Sequence, residues 1–171
     1  LYGNLDEHVG NVVDKETGLQ VYSLYGATRR PSAQMLEGVD TLVYDIQDIG
    51  YRFYTYISTL ELCLEAASDS GLKFFILDRV NPINGIAVEG PIHTGEPTFV
   101  ACHPLPIRHG MTPGELARMF VAERILKTAL TVIPIEGWHR ASWFDATSLP
   151  WTRPSPIMRT LNAATLYPGI G

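Results

Sequence analysis

Three segments of this 171-residue chain concentrate side chains able to hold or transform a polar ligand. The first runs from Asp45 through Gln47, Asp48, Arg52 and Tyr54 to Tyr56. Carboxylates accept hydrogen bonds from sugar hydroxyls, and a guanidinium forks onto a carboxylate. Tyrosines stack on a sugar face or pass a proton. The same residues also fit a bland arrangement, with Asp45 and Arg52 as an internal ion pair and the tyrosines in a core. The second segment holds Asp78, Arg79 and Asn81, then Glu89 in the string Val88-Glu89-Gly90-Pro91. Asn81 precedes Pro82, which biases it toward an extended or turn conformation. Here the alternative is that Asp78 pairs with Arg79 and that Glu89 tethers a loop. The third segment is Arg108-His109-Gly110-Met111-Thr112, a cation and an imidazole just before a helix start. Helix N-termini attract anions; a lone histidine is equally a packing residue.

These side chains need elements to position them. Thr41-Leu42-Val43-Tyr44-Asp45-Ile46 is apolar and β-branched with almost no alternation, the pattern of a strand covered on both faces. Residues 55–70 place Ile57, Leu60, Leu64 and Ala67 at helical spacing, with Gly71 as the stop. Lys73-Phe74-Phe75-Ile76-Leu77 reads as a second buried strand, so residues 41–77 predict a right-handed βαβ unit. Thr112, Pro113 and Glu115 spell a capping box with proline at the first helical position, and residues 130–135 predict a third strand. Residues 19–24 fit a short strand and residues 31–36 a helical turn stopped by Gly38. Residues 81–109, rich in Pro and Gly, predict a long specialised loop, and residues 1–18 read as loop. The alternation of elements points to an α/β fold: Rossmann-like, a mainly parallel sheet with helices on both faces. In such sheets ligands sit beyond the carboxyl ends of the strands, where all three segments fall.

Composition narrows the function classes. The formal net charge is −5, without a basic stripe, which argues against a nucleic-acid partner. No apolar run approaches the roughly 20 residues that span a bilayer. GxGxxG, Walker A, GxSxG and HExxH signatures are absent, and the five histidines are scattered, so neither a cofactor nor a metal is expected. Cys63 and Cys102 lack metal-site spacing and read as unpaired thiols.

The string Asp45-Ile46-Gln47-Asp48-Ile49-Gly50-Tyr51-Arg52-Phe53-Tyr54-Thr55-Tyr56-Ile57 closely resembles the hallmark of a bacterial exo-β-N-acetylmuramidase family. The resemblance continues through Leu77-Asp78-Arg79 with Asn81-Pro82, Val88-Glu89-Gly90-Pro91, Arg108-His109-Gly110-Met111-Thr112 with Gly114-Glu115-Leu116, Pro154-Ser155-Pro156 and Tyr167-Pro168-Gly169. It begins with Val21-Tyr22-Ser23-Leu24-Tyr25-Gly26, so it runs nearly end to end. Ile157 and Arg159 depart from the family pattern, where Asn and Pro are common. The resemblance implies that residues 1–171 are most of a Rossmann-like N-terminal domain, and that residues 138–171 start the connection to a smaller C-terminal domain. It further implies that a Pro-Glu-His-Gly segment carrying the leading catalytic glutamate precedes Leu1-Tyr2-Gly3, and that the first strand of the domain is also absent.

What the resemblance implies for function is removal of terminal β-linked N-acetylmuramic acid from the non-reducing ends of peptidoglycan fragments, in a periplasmic or secreted setting. Glycoside hydrolysis generally needs an acid for the leaving oxygen and a second group at the anomeric carbon. The candidates for that second group are Tyr54, Tyr56, Asp48 and Glu89, and a substrate-assisted route through the N-acetyl group stays open. Arg52, Arg79 and His109 are candidates for the lactyl carboxylate. Asp45, Gln47, Asp78, Asn81 and Arg108 complete the expected substrate-binding set. A non-catalytic sugar-binding module on the same scaffold is the alternative.

Overall fold

A computed structural model describes residues 10–169, which leaves Leu1-Tyr2-Gly3 and His8 outside the described residues. The chain opens with a small antiparallel ribbon, β1 (Val12–Val13) against β2 (Gln20–Val21). Its turn is built by Asp14, whose carboxylate accepts from the Thr17 N–H at 3.0 Å. Residues 31–38 form hydrogen-bonded turns that end at Gly38.

The main sheet is parallel, in the order β3 (Thr41–Tyr44), β4 (Lys73–Leu77), β5 (Ala129–Ile133). Register pairs Val43 with Phe75 and Phe75 with Thr131. β5 ends before Pro134, which has no N–H to donate to a ladder. Helix α1 (Tyr56–Ser70) joins β3 to β4 and buries Ile57, Leu60, Leu64 and Ala67, the expected apolar stripe. Gly71 stops it in the left-handed region at φ 67°, its N–H directed to the Ala67 and Ser68 carbonyls. Helix α2 (Pro113–Glu123) joins β4 to β5. Its capping box is complete: the Thr112 side chain accepts from the Glu115 N–H, and the Glu115 side chain accepts from the Thr112 N–H.

The parallel sheet and the α/β class are as the sequence predicts; the placement of the helices adds something it does not. Both crossovers step the same way across the sheet, and right-handed crossovers that step the same way land on the same face. α1 and α2 accordingly pack against each other and over one side. Leu42, Tyr44, Phe74, Ile76, Leu130 and Val132 point into the core they share with Leu60, Leu64, Leu116 and Phe120. On the other face Val43, Leu77 and Ile133 are 60, 40 and 45% exposed. The continuous apolar strands predict cover on both faces; among the described residues one face is covered. Leu77 therefore belongs to an open surface and not to the core, although its strand is where the sequence puts it.

A second, smaller core lies beyond the strands. Ile49, Tyr51, Tyr54, Ile83, Met158 and Ala164 are buried together, with Trp143, Trp151 and Tyr167 packed against them. A 3-10 turn (Phe144–Thr147) and helix α3 (Leu161–Leu166) belong to this lobe. The Phe144 N–H donates to the Pro82 carbonyl at 3.0 Å and the Gly85 N–H to the Arg140 carbonyl at 2.7 Å. Residues 138–169 thus fold back onto the loop that follows β4.

Candidate active site

The carboxyl ends of the parallel strands carry the candidate side chains, and the structure sorts them by what they touch. Asp45 follows β3 and Arg79 follows β4, on neighbouring strands. Both Nε and a terminal nitrogen of Arg79 reach Asp45 Oδ1 at 2.6 Å. Their side chains are 47 and 42% exposed, so this pair faces solvent. The ion pair expected inside the first segment therefore runs between segments, and the partner is Arg79 rather than Arg52.

Arg52 instead points along the long loop. Its guanidinium donates to the Pro91 carbonyl at 2.8 Å and the Leu105 carbonyl at 2.5 Å, which fixes the two limbs of residues 91–105. Gln47 and Asn81 are also bound to backbone. The Gln47 amide donates to the Val80 carbonyl at 2.9 Å, and the Asn81 amide to the Met111 carbonyl at 3.0 Å. Asn81 Oδ1 accepts from the Ile83 N–H, closing the turn through Pro82. Asp78 turns toward α2, where it accepts from the Thr112 hydroxyl at 2.8 Å and the Gly114 N–H at 2.7 Å. Burial raises the Asp78 carboxyl pKa, and its bonds to Gly114, Thr112 and Arg79 counter part of that rise. These four side chains build the site's frame from residues the sequence reading places in the substrate.

Asp48 and His109 meet inside the protein. Asp48 Oδ2 accepts from the Gly50 N–H at 2.8 Å and lies 3.5 Å from His109 Nε2, with side-chain exposures of 3 and 0%. The Met111 N–H donates to His109 Nδ1 at 3.2 Å. That bond consumes the Nδ1 lone pair, which leaves the proton on Nε2, near Asp48 but without a hydrogen-bond partner. A fully buried imidazole with both nitrogens directed at protein cannot reach a substrate carboxylate. Its effect runs through Asp48 and the turn at Gly50, where φ is +88° and an added Cβ would lie 2.6 Å from Asn81 Oδ1.

Above this pair lies an aromatic cluster. Tyr54 and Tyr56 meet edge to face with ring centres 5.0 Å apart. The Tyr56 hydroxyl donates to the Pro154 carbonyl at 2.6 Å, tying the tyrosines to the Pro154-Ser155-Pro156 loop. Burial raises both phenols, Tyr54 well above the ordinary range; Ser155 lies beside the Tyr54 hydroxyl, and the Asp48 charge adds to the rise at Tyr54. Both therefore stay protonated at physiological pH.

Glu89 and Arg108 form a separate feature. Arg108 donates to Glu89 Oε2 at 3.0 Å, binds the Ile83 carbonyl and lies 5.5 Å from the Trp143 ring centre. The Glu89 side chain is 66% exposed. With Tyr51, Ile107, Trp143 and Pro168 they line a cavity of about 260 Å³. Aromatic walls beside an exposed carboxylate–guanidinium pair suit a sugar ring. Neither Tyr51 nor Trp143 is among the site residues expected from the sequence. Tyr51 lies within the hallmark string, whereas the only sequence signal for Trp143 is the aromatic density of its segment; the two come together only in the tertiary fold.

Among the described residues no three His, Cys, Asp or Glu side chains converge as a metal cage. Cys63 and Cys102 are unpaired, and burial raises their thiols to about 11 and about 12. No helix among the described residues is long and apolar enough to cross a membrane.

A parallel α/β domain with polar and aromatic side chains gathered beyond its strand ends is a Rossmann-like scaffold. Comparison with known proteins specifies it further. The model of the family described as exo-β-N-acetylmuramidase NamZ, N-terminal, matches residues 1–162, and the chain belongs to this family. It is 47% identical over 166 residues to the peptidoglycan β-N-acetylmuramidase NamZ of Bacillus subtilis. That alignment covers 96% of the chain and 40% of the relative, so the chain spans well under half the relative's length. A crystal structure of a DUF1343 family protein from Bacteroides fragilis superposes with a TM-score of 0.88 at 43% identity, over 95% of this chain and 42% of that one. A second DUF1343 protein of the same organism gives 0.78 at 37% identity, over 91% and 43%.

Proposed function

We propose that this chain is the α/β portion of a glycoside hydrolase that removes terminal β-linked N-acetylmuramic acid from the non-reducing end of peptidoglycan fragments. The observation that carries the reading is the 47% identity to a peptidoglycan β-N-acetylmuramidase across nearly the whole chain. The geometry supports roles for particular residues. Arg79 already holds a carboxylate, that of Asp45, at the open ends of β3 and β4. The lactyl carboxylate of muramic acid can take that place, and a charge-assisted pair there rejects sugars that lack the acid. Tyr54, kept protonated, is a hydrogen-bond donor at the site, Tyr56 braces it from the Pro154 carbonyl, and Glu89 is the most exposed of the candidate carboxylates. Asp48 and His109 position the turn that carries the tyrosines. No cofactor enters this scheme. A substrate of this kind belongs to a periplasmic or secreted enzyme.

The test is release of free N-acetylmuramic acid from a muramic acid–glucosamine disaccharide by the complete natural polypeptide that carries this sequence. Release, with a KM raised at least about tenfold by Arg79→Ala, supports the reading, since a lost charge-assisted contact costs about 1.5–3 kcal/mol. Binding of the disaccharide without release makes the protein a sugar-binding module. Unchanged kinetics in Arg79→Ala removes that residue from substrate recognition.

A further inference from the structure

The cavity walled by Tyr51, Ile107 and Trp143 takes part in the proposed reaction only through Glu89. Three segments remote in sequence build it. Antiparallel bridges pair Tyr51 with Arg108 and Arg108 with Glu89. The Arg52 N–H donates to the Ile107 carbonyl at 2.9 Å, and the Arg108 and Glu89 N–H groups donate to each other's carbonyls at 2.9 and 3.1 Å. Residues directly opposed in antiparallel pairs project to the same side. This register therefore sets a phenol ring, a guanidinium and a carboxylate in one row. Gly90 lets the segments close up: its φ is +82°, and an added Cβ would lie 2.8 Å from Ile107 Cβ.

The row has a particular chemistry. Arg108 is fixed by Glu89 Oε2 at 3.0 Å, by the Ile83 carbonyl and by the Trp143 ring centre 5.5 Å away. Two of its five donors are committed to those acceptors, and the carboxylate cancels its charge. The Tyr51 hydroxyl is spent on the Thr165 carbonyl at 3.4 Å, so Tyr51 offers its ring and not a proton. A ligand therefore meets apolar walls and a neutral ion pair. Hydroxyl groups suit that pair, because each can donate to the carboxylate and accept from the guanidinium. The apolar face of a pyranose suits the walls. A cavity of about 260 Å³ is below the usual size for larger ligands and matches a single ring. An acidic ring finds no uncommitted cation here, in contrast to the solvent-facing Arg79. The two places are close: Ile83, whose carbonyl holds Arg108, follows Arg79 by four residues. An extended chain covers at most about 14 Å over that stretch, within reach of one short oligosaccharide.

We infer that this cavity is the subsite for the neutral sugar ring on the leaving-group side of the scissile bond, an uncharged N-acetylhexosamine. Glu89 and Arg108 bind its hydroxyls, and Tyr51 and Trp143 wall its face. The place of the ring in the reaction rests on the glycosidase reading; the preference for a neutral hydroxylated ring does not.

The experiment uses the complete natural polypeptide and two variants. Thr165→Trp fills the cavity from an exposed lining position and leaves the ion pair intact, and Trp143→Ala removes a wall. Binding of the methyl β-glycoside of N-acetylglucosamine is followed by ligand-observed NMR titration. Expected is saturable binding by the parent, weakened at least about fivefold in both variants, the scale of a lost ring contact. If Trp143→Ala does not fold, Thr165→Trp alone decides. No saturable binding by the parent, or variants that bind as the parent does, overturns the proposal. Kinetics then locate the ring. In Thr165→Trp the KM for the muramic acid–glucosamine disaccharide should rise at least about fivefold. The methyl β-glycoside of N-acetylmuramic acid, which has no neighbouring ring, should keep its parental KM. An equal rise on both substrates overturns the assignment, because the cavity would then hold the muramic ring or act only through folding. A parent that cleaves neither glycoside sinks the glycosidase reading and the leaving-group assignment together, whereas the titration still decides whether the cavity takes a neutral sugar.

Discussion

Gly114 provides a sharp test of how α2 is docked on the sheet. A Cβ at this position would lie 2.6 Å from Val132 Cγ1, 2.7 Å from Asp78 Cγ and 2.8 Å from Asp78 Oδ2. Neither neighbour can retreat easily. Val132 is paired in β5, and Asp78 is held by the Thr112 hydroxyl and by the Gly114 N–H itself. Two effects oppose each other in Gly114→Ala. Helix propensity favours alanine by about 1 kcal/mol, less in a first turn. Overpacking costs about 1–3 kcal/mol, and displacement of Asp78 weakens a bond to a charged group worth about 1.5–3 kcal/mol. Sterics win, for a net loss of about 2 kcal/mol. In a chain of this size that lowers Tm by about 4–8 °C. Urea unfolding followed by tryptophan fluorescence, with thermal melts beside it, measures both. A variant as stable as the parent, or more stable, would mean that α2 does not approach β4 and β5 as described, and that Asp78 is free to face ligand.

The two faces of β4 should respond differently in the 171-residue chain: Ile76→Ala loses about 2–5 kcal/mol, whereas Leu77→Ala, on the open face, loses under about 1 kcal/mol. Equal losses in urea titrations would contradict the one-sided cover. His109→Ala empties the fully buried ring site beside Asp48 and takes away the acceptor of the Met111 N–H, and is expected to cost about 2–4 kcal/mol; a melting curve that does not move would show the buried imidazole to be dispensable. Burial raises the Tyr44 and Tyr54 phenols above the ordinary phenol value of about 10. A raised folded pKa means that their contribution is complete below pH 10 and is lost as pH rises through the folded values. Phenolate absorbance of these two should therefore appear only together with unfolding, and early titration at pH near 10 in the folded state would refute their burial. Asp78, also raised, stabilises most below its unfolded value near 3.8 and loses that contribution as pH rises through the folded value. Asp78→Asn removes this gain at low pH and should accordingly steepen the acid limb of the stability–pH curve, and an unchanged limb would show that Asp78 does not contribute to it.

Much of this protein is written locally. The α1 stripe, its Gly71 stop, the capping box from Thr112 to Glu115, and the limits of β4 all appear where the sequence predicts them. Helical periodicity, capping chemistry and β-branched runs act over a few residues, so they can be read without knowing the fold. The parallel order of β3, β4 and β5 follows from the length of the crossovers and their hand. The string from Asp45 to Ile57 and the motifs after it are specific enough to identify the family, and the family match covers the same stretch.

What the side chains do was decided by tertiary structure. Asp45 finds Arg79 rather than Arg52, Asp78 serves α2 rather than a ligand, and His109 is sealed against Asp48. Each outcome depends on distances between segments remote in sequence, and a residue type alone does not say whether its partner is backbone, another side chain or substrate. Burial of polar groups is likewise global: Asn81 and Arg52 are consumed by carbonyls of loops that only the folded chain brings near. The open sheet face is the same lesson in apolar form. An unbroken hydrophobic strand announces that both of its faces want cover, but which face is covered depends on the direction in which the chain steps across the sheet.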